Sequence, residues 1–109
     1  METLHEVRDT AKVERIAKSI EENGWIGAPM VADGELLITG VHRYAALRQI
    51  DRTDMLYEVT IPIQDIIEGY DAKIEERMSE DGDDWYEAMK ATVAELDEDT
   101  RTEYGLDAD

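Results

Sequence analysis

The sequence contains no cysteine, which excludes disulfide bonds, thiolate metal sites, thiol nucleophiles and thiol redox chemistry. It also contains no apolar run near the roughly 20 residues that a membrane helix needs. The amino-terminal segment lacks the basic and apolar regions of a signal peptide. We therefore expect an intracellular, cytoplasmic protein with no membrane partner. Its 109 residues suffice for one ordinary domain core but are too few for two.

Basic residues are scarce, since 11 Lys and Arg face 28 Asp and Glu for a net charge of −17. Residues 1–62 carry 7 basic and 11 acidic side chains, a net of −4, whereas residues 63–109 carry 4 and 17, a net of −13. A negative field of this size repels nucleic-acid phosphates, so direct DNA binding is not expected. Two explanations for the acid stay open: a halophilic-type surface suited to high salt, and a DNA-mimic surface aimed at a basic partner.

An amphipathic helix is predicted over residues 10–23. Its apolar residues recur at the spacing that forms one buried stripe: Val13, Ile16, Ala17 and Ile20. Asp9 or Thr10 offers the N-cap oxygen, and Gly24 follows where a left-handed residue ends a helix. Three groups able to hold an anion line up on a neighbouring face: Lys12, Arg15 and Ser19.

A hairpin and a glycine turn follow this helix. The second half of residues 25–32 is typical of a strand. Residues 33–34 are typical of a hairpin turn, and residues 35–39 are typical of the returning strand. Gly40 breaks the extended run, and residues 42–50 have a helical composition. The predicted order is strand, glycine turn, helix.

The remaining chain is predicted to be one strand and two or three helices. Residues 57–61 alternate as a half-buried strand does, and Pro62 stops that strand. Residues 63–78 have helical spacing, as one helix or two, and a last helix spans residues 83–96 with an apolar stripe: Trp85, Met89, Val93 and Leu96. The stripe packs either on the domain itself or on a second copy, which would make a homodimer. The tail after Asp97 is predicted to fray.

The segment that indicates chemistry is the glycine turn. A glycine between a strand and a helix lets backbone N–H groups approach a ligand closely, and the helix start adds the positive end of its dipole. Arg43 can hold phosphate oxygens with a planar fork of donors, and His42 can donate a hydrogen bond. From the residues alone two structural explanations stay open, in which His42 bonds a backbone carbonyl and Arg43 pairs with a carboxylate.

Two segments carry a resemblance to a known superfamily. The segment from Gly40 to Ala46 resembles the glycine-cysteine-histidine-arginine-tyrosine motif of sulfiredoxins and the glycine-x-x-arginine box of ParB-type domains. Upstream, residues 9–13 resemble the start of the sulfiredoxin nucleotide-site helix, and residues 19–31 follow the first ParB box. The match runs in order over roughly residues 4–67.

The resemblance implies an α+β fold with a small mixed sheet, flanking helices and a nucleotide site. A ParB/sulfiredoxin-like domain would occupy residues 1–70, and an acidic helical extension would occupy residues 71–109. In sulfiredoxins the matching positions hold ATP phosphates, and in ParB proteins the related boxes bind CTP, with Mg²⁺ carried by the nucleotide. The positions that match the phosphate site here are those of the first helix and the glycine turn: Lys12, Ser19, Gly40, His42 and Arg43.

The positions at which the sequence departs from the family exclude some of the family's functions. Val41 stands where sulfiredoxin has its catalytic cysteine, so reduction of sulfinic acid is excluded. A DNA-reading helix-turn-helix is not expected in the acidic remainder. Free serine kinases with a ParB-like fold also resemble this architecture, and a phosphotransfer role needs a carboxylate base, for which Glu6 is the candidate.

The function expected from the sequence is that of a stand-alone protein binding ATP, CTP, ADP or another phosphate ligand, either as a switch or as a phosphotransfer or hydrolase enzyme. Whether it is an enzyme stays open. The alternative is an acidic adaptor or DNA mimic with a vestigial pocket that binds a basic protein. A nuclease is disfavoured, because no pair of carboxylates flanks the glycine turn, and no metal site is predicted.

Overall fold

Four short strands form one mixed sheet in the computed structural model, which describes residues 2–106. The strands are β1 (Glu2–Thr3), β2 (Met30–Asp33), β3 (Leu36–Leu37) and β4 (Thr60–Pro62), in the order β1-β3-β2-β4. The hairpin partners β2 and β3 are antiparallel, whereas β1 runs parallel to β3 and β4 parallel to β2. The predicted α+β class is confirmed.

Helices make up most of the rest of the chain. They are α1 (Thr10–Asn23), α2 (Val41–Gln49), a 3₁₀ turn (Thr53–Met55), α3 (Leu56–Val59), α4 (Ile63–Ile66), α5 (Tyr70–Glu80), α6 (Trp85–Ala94) and α7 (Glu98–Glu103). The longest, α1, has 14 residues. Among residues 2–106 no helix meets the length and hydrophobicity of a transmembrane span.

The bounds of α1 are those that the sequence predicts, because both ends are capped. The Asp9 carboxylate accepts the Lys12 N–H at 3.0 Å, which satisfies a donor that the first helical turn leaves open. Gly24, with φ of 76°, ends the helix, and its N–H donates to the Ile20 carbonyl. The apolar stripe turns inward with Val13 and Ala17 buried.

Alternate residues of β2 and β3 point to opposite faces of the sheet, so the protein has a core on each face. The first core lies between the sheet and α1 and α2 and contains Val13, Ala17, Ile20, Met30, Ala32, Leu37, Tyr44, Ala46, Leu47 and Val59. The second core lies on the opposite face and contains Val31, Ile38, Ile63, Ile67, Tyr70, Ile74, Ala88, Met89 and Val93. The sheet is therefore the middle layer of three.

The second core shows how the acidic C-terminal segment attaches. Helices α5 and α6, which lie in the predicted extension, bury Ile74, Met89 and Val93 against β-sheet residues such as Val31. The apolar stripe of the last helix thus packs on the chain's own sheet. Among residues 71–106, every acidic side chain except that of the half-buried Asp83 is exposed.

The predicted strand over residues 57–61 is wrong for its first half. Residues 56–59 form α3, and Tyr57 is 97% exposed. Because β4 is parallel to β2 with Thr60 opposite Met30, a longer β4 would need to pair with Pro29. Proline has no N–H for a strand ladder, so the pairing starts at Thr60.

The predicted fraying after Asp97 is also wrong over the described residues. The Asp97 carboxylate accepts the Thr100 N–H at 2.7 Å and caps α7. Beyond this helix, Tyr104 and Leu106 pack against the second core. Burial of these two side chains holds the segment in place. Residues 107–109 of the predicted frayed tail lie outside the described residues.

Candidate functional site

Regular strand pairing ends at Leu37, and hydrogen bonds to Val31 hold the two residues that lead to the glycine turn. The N–H groups of Ile38 and Thr39 both donate to the Val31 carbonyl, at 2.8 and 3.2 Å. The Thr39 hydroxyl accepts the Val31 N–H at 3.0 Å. A side chain thus replaces the next backbone partner, and β3 is shorter than the predicted strand over residues 35–39.

Gly40 is required by backbone geometry and by packing. Its φ is 85°, in the left-handed region that favours glycine. A Cβ atom there would lie 2.5 Å from Cγ of the buried Met30. Since Gly40 is the N-cap residue of α2 and has no side chain, no side-chain hydrogen bond caps the helix. The first-turn N–H groups of α2 are therefore available to a ligand.

The N-terminal ends of α1 and α2 meet at His42. The backbone N–H of Asp9 donates to Nε2 of His42 at 3.3 Å. With Nε2 accepting this bond, Nδ1 is the ring nitrogen that can donate to a ligand. His42 therefore bonds a backbone N–H rather than the backbone carbonyl considered from the sequence.

Arg43 is held by a loop rather than by a carboxylate. Its Nη1 donates to the Ala28 carbonyl, and its guanidinium carbon lies 4.9 Å from the centroid of the Trp25 ring. Among residues 2–106, neither of the two ion pairs includes Arg43. Burial lowers the pKa of this guanidinium, because desolvation disfavours the charged form. Its positive charge therefore has no counterion within the described chain.

Two cavities open on either side of His42. The first, which we call the Arg43 cavity, has a volume of about 230 Å³ and is lined by Lys12, Ile16, Thr39, Gly40, His42, Arg43 and Gly105. The second, the Arg8 cavity, has a volume of about 580 Å³ and is lined by His5, Glu6, Arg8, Asp9, Lys12, Val41, His42 and Tyr86. Because Lys12 and His42 line both, the two cavities adjoin.

A third cavity continues this space toward α6 and α7. The Met89 cavity has a volume of about 210 Å³ and is lined mainly by Leu4, His5, Ile38, Thr39, Tyr86, Met89, Lys90, Val93, Ala94, Arg101 and Leu106. It shares His5 and Tyr86 with the Arg8 cavity, and Thr39 with the Arg43 cavity. We call the three neighbouring cavities together the cleft, which lies between the α1 and α2 N-termini on one side and α6 and α7 on the other.

The cleft gathers positive charge in a negative molecule. Both histidines and five of the eleven Lys and Arg residues line it: Arg8, Lys12, Arg43, Lys90 and Arg101. Among residues 2–106, its acidic lining is limited to Glu6 and Asp9. Asp9 already accepts the Lys12 N–H as the cap of α1. The arrangement is suited to an anion.

The structure brings most of the predicted site residues together. Lys12, Gly40, His42 and Arg43 all line the Arg43 cavity, and the exposed Glu6 lines the adjoining Arg8 cavity. Ser19 lines none of the three cavities. It lies seven residues beyond Lys12 on α1, which is about 10 Å along the helix axis.

Sequence reasoning missed the other side of the cleft. The residues not singled out beforehand are His5, Arg8, Tyr86, Lys90 and Arg101. Arg8 directly precedes the predicted N-cap Asp9, so the sequence could have predicted that Arg8 lies next to the site. The α6 and α7 residues reach the cleft only through packing on the second face of the sheet, and no local pattern indicates that contact.

Within residues 2–106 no group of three or more His, Asp or Glu side chains is arranged to hold a metal ion. The side chains that line the cleft can bind an anion through charge and hydrogen bonds. No protein-family model, curated protein or solved structure matches this chain.

Proposed function

We propose that the protein binds a phosphate-bearing ligand, a nucleotide such as ATP, CTP or ADP, in the cleft between the N-termini of α1 and α2. The observation that carries this is the charge of the cleft. Five of eleven Lys and Arg residues line it in a chain of net charge −17. A molecule with so negative a field binds an anion only where positive charge is locally concentrated.

The phosphates lie in the Arg43 cavity. Arg43 presents a fork of N–H donors of which one contacts Ala28, and the remaining donors suit phosphate oxygens. Lys12 adds a point charge and His42 an Nδ1–H donor. The uncapped N–H groups at the start of α2 complete the set. Ser19 takes no part, because it lies outside the cleft.

The resemblance to ParB and sulfiredoxin domains supports a nucleotide as the ligand. It places the same positions, Lys12, His42 and Arg43, at the phosphates, and a divalent ion such as Mg²⁺ would arrive with the nucleotide. The protein then acts either as a stand-alone switch or as a phosphotransfer or hydrolase enzyme. For an enzyme, Glu6 is the carboxylate in the cleft that has no role as a helix cap.

Isothermal titration calorimetry tests this function. The wild-type protein is titrated with ATP, CTP and ADP in Mg²⁺, beside Arg43→Ala and Arg43→Lys. Hydrogen bonds to charged groups contribute about 1.5–3 kcal/mol each, so we expect Arg43→Ala to weaken binding about tenfold or more. Arg43→Lys keeps the charge and should lie between the two.

Arg48→Ala is the matched control. Arg48 lies on the same helix but stacks on Tyr44, 5.8 Å from its ring centroid, and does not line the cleft. We expect Arg48→Ala to bind as the wild type does. Thermal unfolding of each variant shows that it is folded. Absence of heat with every nucleotide contradicts the proposed function, as does equal weakening by the two alanine variants.

A second candidate is an acidic adaptor that binds a basic protein partner. It is favoured by the exposure of the acids on α5: Asp71, Glu75, Glu76 and Glu80. Such an association would be salt-sensitive, would survive Arg43→Ala, and would weaken when acids within residues 75–99 are changed to their amides. Pull-down with these two sets of charge variants separates the adaptor from the nucleotide-binding protein.

A further inference from the structure

We infer that Tyr86 selects the organic part of the ligand whose phosphates lie in the Arg43 cavity. This inference rests on the proposed function and deepens it. The ligand class is a phosphate ester or anhydride that carries a planar or apolar group, rather than inorganic phosphate.

The Met89 cavity adds apolar side chains to the cleft. Leu4, Ile38, Met89, Val93 and Leu106 line it beside the cations Lys90 and Arg101. Among the described residues it has no carboxylate in its lining. An inorganic phosphate held at the start of α2 would leave these apolar side chains in water, whereas an organic group attached to that phosphate would cover them.

Tyr86 stands where the Met89 and Arg8 cavities meet. It lines both of these cavities, as His5 does. The Tyr86 side chain is 39% exposed, so part of its ring remains open to a ligand. Lys90 Nζ lies 5.2 Å from the ring centroid and adds positive charge beside it.

A capping box stabilises the backbone of the first turn of α6, which carries Tyr86. Asp84 accepts the Glu87 N–H at 2.8 Å, and Glu87 accepts the Asp84 N–H at 3.3 Å. An aromatic ring carried on this turn can stack on a planar group of the ligand.

Several residues of the Met89 cavity lie outside residues 4–67, where the ParB and sulfiredoxin resemblance runs. Tyr86, Met89 and Lys90 belong to α6, and Leu106 follows α7. The N-terminal part of the chain therefore binds the phosphates, and the C-terminal helices contact the organic group of the ligand. Both parts reach one cleft because α6 packs on the second face of the sheet.

The test compares inorganic triphosphate with ATP and CTP by calorimetry, in the wild-type protein and in Tyr86→Ala. Base stacking on an aromatic side chain is worth about 1–3 kcal/mol, so we expect Tyr86→Ala to weaken the preferred nucleotide about fivefold or more. Affinity for triphosphate should stay within about twofold, since Tyr86 is not in the Arg43 cavity. Tyr86→Phe, which keeps the ring, should retain nucleotide affinity.

Tyr57→Ala is the control for loss of a tyrosine, because Tyr57 is exposed and lies outside the cleft. If triphosphate binds as tightly as both nucleotides, or if Tyr86→Ala weakens triphosphate and nucleotide equally, the inference about Tyr86 is wrong while the phosphate site stands. If neither triphosphate nor nucleotide binds, the proposed function fails and the inference fails with it.

Discussion

Arg43 carries a positive charge whose partners are a carbonyl oxygen and an indole ring. These contacts orient the guanidinium, but they do not supply the negative charge that a partly buried cation usually has. Burial alone lowers the pKa of this arginine. A bound phosphate would supply the counterion that Arg43 lacks among residues 2–106, so the same residue links packing of the Trp25 loop to ligand binding.

Gly40→Ala tests why glycine stands at the turn. Alanine at this position would have to adopt a φ of 85°, which strains a residue with a side chain. Its Cβ atom would lie 2.5 Å from Met30 Cγ. Backbone strain and overpacking are each worth about 1–3 kcal/mol, so we expect urea denaturation to show a loss of about 2–5 kcal/mol. Gly34→Ala is the matched control, because its φ is 57° and nothing lies within 4 Å of its added Cβ. Equal losses in both variants would contradict the packing explanation.

Tyr70 is expected to lower the stability of the folded protein at alkaline pH. The side chain is 1% exposed, and its hydroxyl has no hydrogen-bond partner among residues 2–106. Burial, and then the charges of Asp33 and Asp71, raise the pKa of Tyr70. The folded protein therefore disfavours tyrosinate, and this contribution to stability is present below the ordinary tyrosine pKa of about 10 and is lost as the pH rises above it.

The expected result is a fall in the free energy of unfolding above about pH 10 that is smaller in Tyr70→Phe. Near neutral pH the variant should match the wild type or exceed it by about 1 kcal/mol, since an unpaired buried hydroxyl is removed. Denaturation curves at several pH values, with the exposed Tyr57→Phe as control, measure this. An alkaline fall unchanged by Tyr70→Phe would exclude Tyr70 as its source.

At the scale of elements, the capping box of α6 connects helix stability to the cleft. Asp84→Ala removes the acceptor for the Glu87 N–H, and loss of such a cap costs about 1 kcal/mol. We expect a lower unfolding midpoint and weaker nucleotide binding, because Tyr86 lies in the turn that frays. Glu76→Ala, an exposed acid inside α5, removes the same charge and should change neither. A normal nucleotide affinity in Asp84→Ala would show that the cap does not position Tyr86.

The elements that could be predicted from the sequence are those whose ends have local causes. The bounds of α1 follow from Asp9 and Gly24, and its buried stripe follows from spacing. The strand predicted over residues 57–61 is wrong for residues 57–59, because pairing is a property of two strands and a longer β4 would have to pair with Pro29. Helix α7 was missed although Asp97 is a good N-cap residue, because its few apolar residues, Tyr104 and Leu106, follow the helix.

Only the part of the candidate site on α1 and α2 could be predicted from the sequence, because only that part has local causes. Lys12, His42 and Arg43 stand at the starts of two helices that both flank the predicted hairpin, so their meeting follows from the order of elements. Tyr86 and Lys90 reach the cleft through α6, whose place on the second face of the sheet depends on long-range packing. Local sequence patterns do not predict such long-range contacts.

For the whole molecule, charge is segregated: the cleft is positive and the outer surface is acidic. A net charge of −17 on 109 residues destabilises the compact state by self-repulsion, which salt screens. We expect the thermal midpoint to rise with NaCl until the Debye length falls to about 3 Å near 1 M. Circular dichroism melts measure it, and a midpoint that is flat or falls with salt would contradict repulsion as a destabilising force.

The most direct measurement is a titration of ¹⁵N-labelled protein with inorganic triphosphate at constant ionic strength, followed by amide shifts. A phosphate held at the helix starts should shift the amides of residues 40–43 and 10–12 most. The amides of residues 33–36, at the turn that joins β2 to β3, should stay in place. Shifts that are absent, or that are scattered over exposed cations such as Arg52 and Lys73, would contradict a phosphate site in the cleft.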